Sequence, residues 1–349
     1  MMYVFFVLII LERRLTKALR PLRFFGQRRS VRIWNDEKAP KFTKSKPLKV
    51  VVWNIQYGAG IRQHFFYDGG RAVSTPKEEV EMTVKEIGEF IKSTQADVVM
   101  LQEVDRRARR TAYLDEFKLL SEILASAGLT CRSCASYWRV PYVPTPKWEH
   151  LGRVGMHLVT FSRYRISSAT RWQLPLLKES KIRQLFNLRR CALDTVLEDS
   201  DDFALINTHL SAFSRGDGTL EKQVDTLLTK VLIGKKSWLL AGDFNSLAPW
   251  QSPNDLSDEE AAYYPQGQSP VAPLYANYNA AFSTLREKNI QVPFTYKPYS
   301  ASAPECTIDH AFTSDNIQFS RVKVLPPTQE GRYLSDHQPL EFTLSFSSS

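Results

Sequence analysis

The residues best suited to chemistry stand where apolar runs stop. VVVWN ends at Asn54, DVVMLQE at Glu103, FALINTH at His209, and WLLAGDFN at Asp243 and Asn245. TID places Asp309 in a late strand, and LSDH places Asp336 and His337 just before the final apolar run. A single Asn or Asp at a strand end is an ordinary turn former. Six separate runs ending in Asn, Glu, His or Asp form a pattern, because strands of packed sheets can bring such ends to one rim. The residue types also complement one another. Carboxylates and an amide carbonyl are hard oxygen ligands suited to Mg2+ or Mn2+. Histidines beside aspartates suit phosphate contact and proton transfer, because a carboxylate fixes the tautomer and supports the imidazolium. Asp243 and Asn245, two residues apart, can share one face of an extended strand, one activating a water and the other orienting it. These are the parts for metal-assisted hydrolysis of a phosphate ester. No nucleophilic-serine motif, P-loop or dinucleotide fingerprint accompanies them.

Strand-like and helix-like patterns alternate around these positions. Apolar, β-rich runs occur at 49–53, 97–101, 155–162, 191–197, 203–208, 237–241, 307–313 and 339–346. Thr75-Pro76-Lys77-Glu78 reads as a capping box that starts a helix, with Val80, Val84, Ile87 and Ile91 along its buried face. A second helix is expected from Asp115 to a stop at Gly128, and a third from about Thr219 to Gly234. Residues 249–305 read as a long connection with short helical pieces. Helices interspersed among eight or more strands predict an α/β (α+β) protein, two packed sheets covered by helices in a four-layer αββα sandwich.

The 349 residues carry a net charge of +9, with 24% charged and 43% hydrophobic side chains, which excludes a disordered or fibrous chain. Residues 1–50 hold 13 Lys and Arg against 3 Asp and Glu, so the remaining 299 residues are close to neutral. The basic character belongs to a leader, which argues against reading the whole chain as a basic nucleic-acid binder. Residues 1–35 combine an apolar run, Met1 to Leu11, with interleaved basic and apolar residues, a composition that suits an anionic membrane surface. The apolar run is about half the length that a spanning helix needs. Any insertion would leave the domain on the cytoplasmic side. Residues 36–47 read as a linker and 48–349 as one catalytic domain. Four cysteines are too few for a disulfide scaffold, and Cys131-x-x-Cys134 stands without a second zinc-ligand pair.

VVVWN, LQEVD, INTHL, LAGDFN, TIDHAF and LSDHQPL, in this order, resemble the endonuclease/exonuclease/phosphatase superfamily, the deoxyribonuclease I-like proteins. The resemblance spans residues 48 to 346. It implies that Asn54, Glu103 and Asp336 surround Mg2+, and that Asp243, positioned with Asn245, activates water. It further implies that His337, held by Asp309, contacts the scissile phosphate and that His209 assists the developing charge. Arg189 in NLRRCAL resembles a substrate-contacting Arg of the deoxyribonuclease I branch, with Arg190 as its neighbour.

Thr208-His209-Leu210 is similar to the motif of the neutral sphingomyelinases and related phosphodiesterases. Those relatives place an Arg three residues before the Gln of the next helix; in this chain Gln223 is present and the Arg is not. Two aromatic stretches, His64–Tyr67 and Tyr137–Trp148, read as loops that could face substrate. Two enzymatic readings follow for what is expected to be a monomer, a phosphodiesterase acting on a lipid headgroup at a membrane, or a nuclease or nucleotide phosphodiesterase. The third reading is a non-catalytic binding module that has kept the fold.

Overall fold

The computed structural model describes residues 28–200, 202–212, 216–264, 266–326, 328–329 and 331–347. Its strands in chain order are β1 (Arg28–Ser30), β2 (Ile33–Trp34), β3 (Leu48–Asn54), β4 (Val98–Asp105), β5 (Cys131–Val143), β6 (Gly152–Ser162), β7 (Ile166–Gln173), β8 (Cys191–Leu197), β9 (Ala204–His209), β10 (Trp238–Asp243), β11 (Asn279–Ala280), β12 (Asp309–Thr313), β13 (Ile317–Val324), β14 (Thr328–Gln329), β15 (Arg332–Tyr333) and β16 (Leu340–Phe346). One seven-stranded sheet has the order β1-β7-β8-β9-β10-β12-β11 and the other β13-β16-β3-β4-β6-β5-β2. Only β3–β4 and β9–β10 pair in parallel within these sheets; the other pairs are antiparallel. Each sheet thus carries, near its centre, two adjacent strands that end on the same side.

Alternation along the strands builds the layers. Val50, Val52, Val98 and Met100 point between the sheets, against Leu205, Leu239, Ala241 and Ala311. Val51, Trp53, Val99 and Leu101 point outward under α1 (Lys77–Thr94) and α2 (Glu116–Ala125). The short helix α3 (Lys181–Phe186) lies against β5, whereas on the opposite outer face α4 (Thr219–Thr226) continues through a π turn, Leu227–Val231, and covers β9 and β10. The α-helices described in the long connection are short: α5 (Asp258–Ala261), α6 (Ala272–Asn277) and α7 (Ala281–Arg286). This is the four-layer sandwich that the alternation of elements predicts and the deoxyribonuclease I-like fold that the motif resemblance implies.

Two sequence expectations about local structure change. The capping box at Thr75 does not form: the Thr75 N–H donates to Arg110 O at 2.8 Å and its hydroxyl has no partner, so Pro76 becomes the cap. Residues 28–47 are not a free leader end and linker. β1 pairs with β7 and β2 with β5, so the segment crosses from the edge of one sheet to the edge of the other. Phe42 is fully buried between the sheets beside Phe203 and Phe346. The Lys- and Pro-rich composition concealed one anchoring aromatic and two short edge strands. The apolar run and most of the basic leader lie outside the described residues, and among those described no helix is long and apolar enough to cross a membrane.

The sheets are also bolted together by buried polar side chains. Gln102 Nε2 donates to Asn207 Oδ1 at 2.7 Å, and Asn207 Nδ2 donates to Leu101 O and Val159 O, both at 3.0 Å. Asn207→Leu removes three buried hydrogen bonds, those to Leu101 O and Val159 O and the one from Gln102, which keeps only its bond to Met100 O. The expected loss is about 2–4 kcal/mol of unfolding free energy by chemical denaturation; an unchanged midpoint and slope would refute the bolt.

Candidate active site

The ends of β3, β4, β9 and β10 and the turn before β16 converge on one cavity of about 640 Å³. Asn54, Glu103, His209, Asp243, Asn245, Asp336 and His337 all line it. Asp309, the first residue of β12, lies directly behind His337. Strand geometry explains most of this convergence, and local backbone distortion supplies the rest. Glu103 sits at a β4 register shift with φ +60, which turns its side chain into the cavity. Gly242, one residue before Asp243, has φ +147, and a Cβ there would meet Thr208 O at 2.0 Å. Only glycine lets β10 lie this close to β9 and deliver the aspartate.

Asp243 is the hub. Its Oδ2 lies 2.9 Å from Asn54 Nδ2, 3.1 Å from His209 Nε2 and 3.7 Å from His337 Nε2, and its Oδ1 accepts from the Asn245 N–H at 2.9 Å. Burial alone would raise this carboxyl, but the two histidines and the Asn245 N–H outweigh it and hold the group well below the ordinary carboxylate range. His337 Nδ1 meets Asp309 Oδ2 at 2.8 Å. Burial opposes protonation of His337, yet Asp309 and Asp243 prevail and raise it well above the usual imidazole range. Trp53 Nε1 donates to His337 O at 2.9 Å and fixes its backbone.

His209 has the opposite character. Burial, then the Arg190 charge, pulls it below its ordinary range despite Asp243. Asp243 and Tyr137 fix its tautomer. The tyrosine hydroxyl accepts from the Glu103 N–H at 3.1 Å and lies 3.0 Å from His209 Nδ1. The ionised Asp243 carboxylate can only accept, so in the neutral ring Nε2 carries the proton and Nδ1 accepts from the Tyr137 hydroxyl.

A second group of side chains is acidic. Burial, reinforced by Glu103 and only partly offset by His337, pushes Asp336 up to about 7. Burial, with Asp336 and Glu103 adding to it, pushes Asp68 up to about 8. Beside them the Tyr67 hydroxyl is buried without a partner. Carboxylates gathered in a cavity without a bound cation repel one another, and a hard divalent ion relieves that repulsion. Asn54 Oδ1 accepts one bond, from the Gln56 N–H at 3.0 Å, and keeps a lone pair for such an ion. Asp243, Asp309 and His337 also offer ligand atoms within 4.8 Å of one another. That trio already contains the His337–Asp309 hydrogen bond, so the acidic group fits a divalent ion better.

Three expectations need correction. Arg190, not Arg189, reaches the cavity: successive residues entering β8 face opposite ways, and Arg190 is buried over the Tyr137 ring at 5.4 Å with Nη1 unbonded. Asn245 shares no strand face with Asp243, because β10 ends at Asp243 and Asn245 has φ +47; it instead donates from Nδ2 to Leu210 O at 3.1 Å. Much of the supposed aromatic loop at 137–148 is strand β5, which brings Trp138 to the cavity wall and Tyr137 behind it against His209 and Glu103. Cys131 and Cys134, on the same strand at an odd spacing, face opposite sides and both are free thiols. Sequence reading missed Tyr137 and Asp68 as individual residues; the period-2 pattern of 131–143 would have exposed the first.

The paired charges predict a titration. Asp309→Asn removes the carboxylate that supports the His337 imidazolium, so the His337 pKa falls by about one unit or more. Histidine NMR in the full chain measures it, and an unmoved titration would refute the pairing.

No curated protein sequence matches the chain at a significant level. Solved structures do. An endonuclease/exonuclease/phosphatase from Beutenbergia cavernae is 20% identical, with a TM-score of 0.56 over 86% of this chain and 72% of that one. The human Nocturnin catalytic domain with bound sulfate is 20% identical, with a TM-score of 0.53 over 91% and 98%. D. rerio TDP2 complexed with single strand DNA product is 15% identical, with a TM-score of 0.52 over 85% and 98%. At these identities the structures establish likeness of fold. The match to a family is direct and covers residues 51–337, nearly the whole described body. The chain belongs to the Endonuclease/Exonuclease/phosphatase family and is a metal-dependent hydrolase of phosphate ester bonds.

Proposed function

We propose that the protein is a Mg2+-dependent phosphodiesterase in which Asp243 accepts a proton from the attacking water. The observation that carries this reading is the Asp243 carboxylate, buried yet held ionised between two histidines of opposite character. An ionised carboxylate can take the proton of a water, and Asn245 stands next to it at the cavity wall. His337, kept cationic by Asp309, faces the phosphoryl oxygens. His209, neutral with its proton on Nε2, donates a hydrogen bond toward the charge that develops at the phosphate or leaving oxygen. Arg190 offers an unpaired guanidinium edge to the same phosphate. Asn54, Glu103 and Asp336 are the proposed Mg2+ ligands, with Asp68 beside them; Mn2+ suits the same oxygen donors. The ion, when bound, supplies Lewis-acid polarisation of the phosphoryl oxygen and charge neutralisation.

For the substrate we favour a phospholipid or sphingolipid headgroup. The cavity wall beyond the phosphate position is apolar, formed by Trp138, Val143, Leu151, Met156, Phe186 and Leu188. The chain beyond the leader is close to electrically neutral. A cytoplasmic, monomeric enzyme held at a membrane by residues 1–35 is the corresponding setting. The second reading, a nuclease or nucleotide phosphodiesterase, draws support from the similarity to the TDP2 structure with its DNA product. It predicts a steep loss of affinity with salt.

Asp243→Asn or His337→Ala is expected to lower turnover about 100- to 10,000-fold on any substrate without loss of the folded state. Substantial residual activity would sink both catalytic roles. Glu103→Gln is expected to raise the Mg2+ concentration needed for half-maximal activity about tenfold or more; an unchanged metal requirement contradicts its ligand role. Parallel assays on sphingomyelin vesicles, plasmid DNA, single-stranded RNA and bis-(p-nitrophenyl) phosphate decide between the substrates.

A further inference from the structure

Two segments border the mouth of the catalytic cavity, and both turn large apolar side chains to solvent. The 174–190 segment carries α3, whose Arg183 and Phe186 line the cavity while Ile182 and Leu185 remain 72% and 41% exposed. The 142–150 segment lines the cavity with Val143, Pro144 and Thr145 and leaves Tyr142 and Trp148 52% and 64% exposed. The two segments are tied together where Trp138 Nε1 donates to Phe186 O at 2.8 Å and the Arg189 N–H donates to Tyr137 O at 2.7 Å.

Their charge is one-sided. Residues 142–150 and 174–190 together hold 6 Lys and Arg against 2 Glu. Both acids are engaged: Glu149 with Arg109 at 3.1 Å, and Glu179 with Asn187 at 2.5 Å. Lys147, Lys178, Lys181 and Arg183 are exposed among the apolar side chains. Exposed aliphatic residues argue against a nucleic-acid partner, because Ile and Leu neither stack on bases nor read their edges. Aliphatic and aromatic side chains set among lysines match the interfacial zone of an anionic bilayer.

The chain path gives an independent argument. Arg28 pairs with Trp172 in antiparallel register, so the start of β1 lies at the end of β7 from which the 174–190 segment departs. Residues 1–27, with their apolar run and five basic side chains, are attached at the foot of that segment. We propose that α3 and the 142–150 segment form a docking rim for anionic phospholipid membranes, which seats the cavity mouth on the bilayer on the side where the described chain begins at Arg28. The proposal deepens the lipid-headgroup reading and rests on it for its purpose, although its test does not depend on turnover.

Trp148 is the only one of seven tryptophans that is extensively exposed, which makes it a reporter of rim contact. Full-length protein is mixed with vesicles of brominated phosphatidylcholine, with and without phosphatidylserine, and tryptophan quenching is followed. The expected result is quenching that needs phosphatidylserine and that Trp148→Phe largely abolishes. The double variant Ile182→Asp with Leu185→Asp is expected to bind vesicles about tenfold or more weakly. Its turnover of soluble bis-(p-nitrophenyl) phosphate stays unchanged, which confirms its fold. Quenching undiminished in Trp148→Phe, or vesicle affinity unchanged in the double variant, overturns the rim. Protection of Trp148 from a soluble quencher by a single-stranded oligonucleotide, but not by vesicles, also overturns it in favour of a nucleic-acid groove. Rim contact without hydrolysis of any vesicle lipid supports the rim and removes the headgroup reading. Vesicle hydrolysis with no rim contact overturns the rim and leaves the headgroup reading standing.

Discussion

The site depends first on the buried amide pair Gln102–Asn207, which fixes the register between the two sheets. Both residues stand just ahead of functional positions, Gln102 one before Glu103 and Asn207 two before His209. Apolar contacts between β-sheets tolerate sliding, since Val against Leu has no preferred direction. The Asn207 amide, bonded to Gln102, Leu101 O and Val159 O at once, does not. A slip of one residue would break three buried hydrogen bonds, each costly to leave unmade. The Asn54–Asp243 bond then joins the sheets again at the rim itself. The two parallel pairs end on the same side, and the polar bolts convert that topological fact into atomic positions.

Within that frame one carboxylate organises the chemistry. Asp243 receives Asn54, His209 and Asn245 and faces His337, and its charge in turn affects both rings. The histidines diverge because their other neighbours differ. His337 has Asp309 at its back, an anion that favours imidazolium. His209 has only the neutral Tyr137 hydroxyl at its back, and burial, with the Arg190 cation nearby, favours the neutral ring. Two chemically identical side chains flanking one aspartate thereby hold different proton inventories at the same pH.

The strands that end in functional residues were legible because hydrophobic alternation and the terminal polar residue lie in the same short window. β8, from Cys191 to Leu197, matches its sequence expectation residue for residue. Illegible features were those decided by partners distant in sequence. β1 and β2 are three and two residues long and exist only because β7 and β5 offer free edges. Asp68 follows an aromatic tripeptide with no strand pattern, and its place beside Asp336 comes from the closed 64–72 loop, where Ala72 N–H bonds to His64 O. The choice between Arg189 and Arg190 was one of strand phase, and the arginine pair lies just before the start of β8, where phase cannot be read. Asn245 was misplaced for a related reason: a period-2 argument holds only while the chain stays extended, and it turns into the left-handed region there.

That left-handed backbone is itself part of the site. Gln56, Tyr57, Glu103 and Asn245 all have positive φ without being glycine, and all line the cavity. Such conformations cost about 1–3 kcal/mol each and persist only where surrounding contacts dictate them. Three of those contacts are visible: Gln56 N–H on Asn54 Oδ1, Glu103 N–H on the Tyr137 hydroxyl, and Asn245 N–H on Asp243 Oδ1. In each case the backbone N–H spent on the unusual conformation orients a side chain that the chemistry uses. The acidic cluster is thus aimed by one set of turns and the ionised aspartate by another. A phosphodiester entering the cavity meets carboxylates on one side, and the cationic His337 and Arg190 and an apolar wall elsewhere. In the proposed reaction this division would orient the diester: the carboxylates would hold the ion, His337 and Arg190 would meet the phosphate, and the apolar wall would be left for the organic part of the substrate.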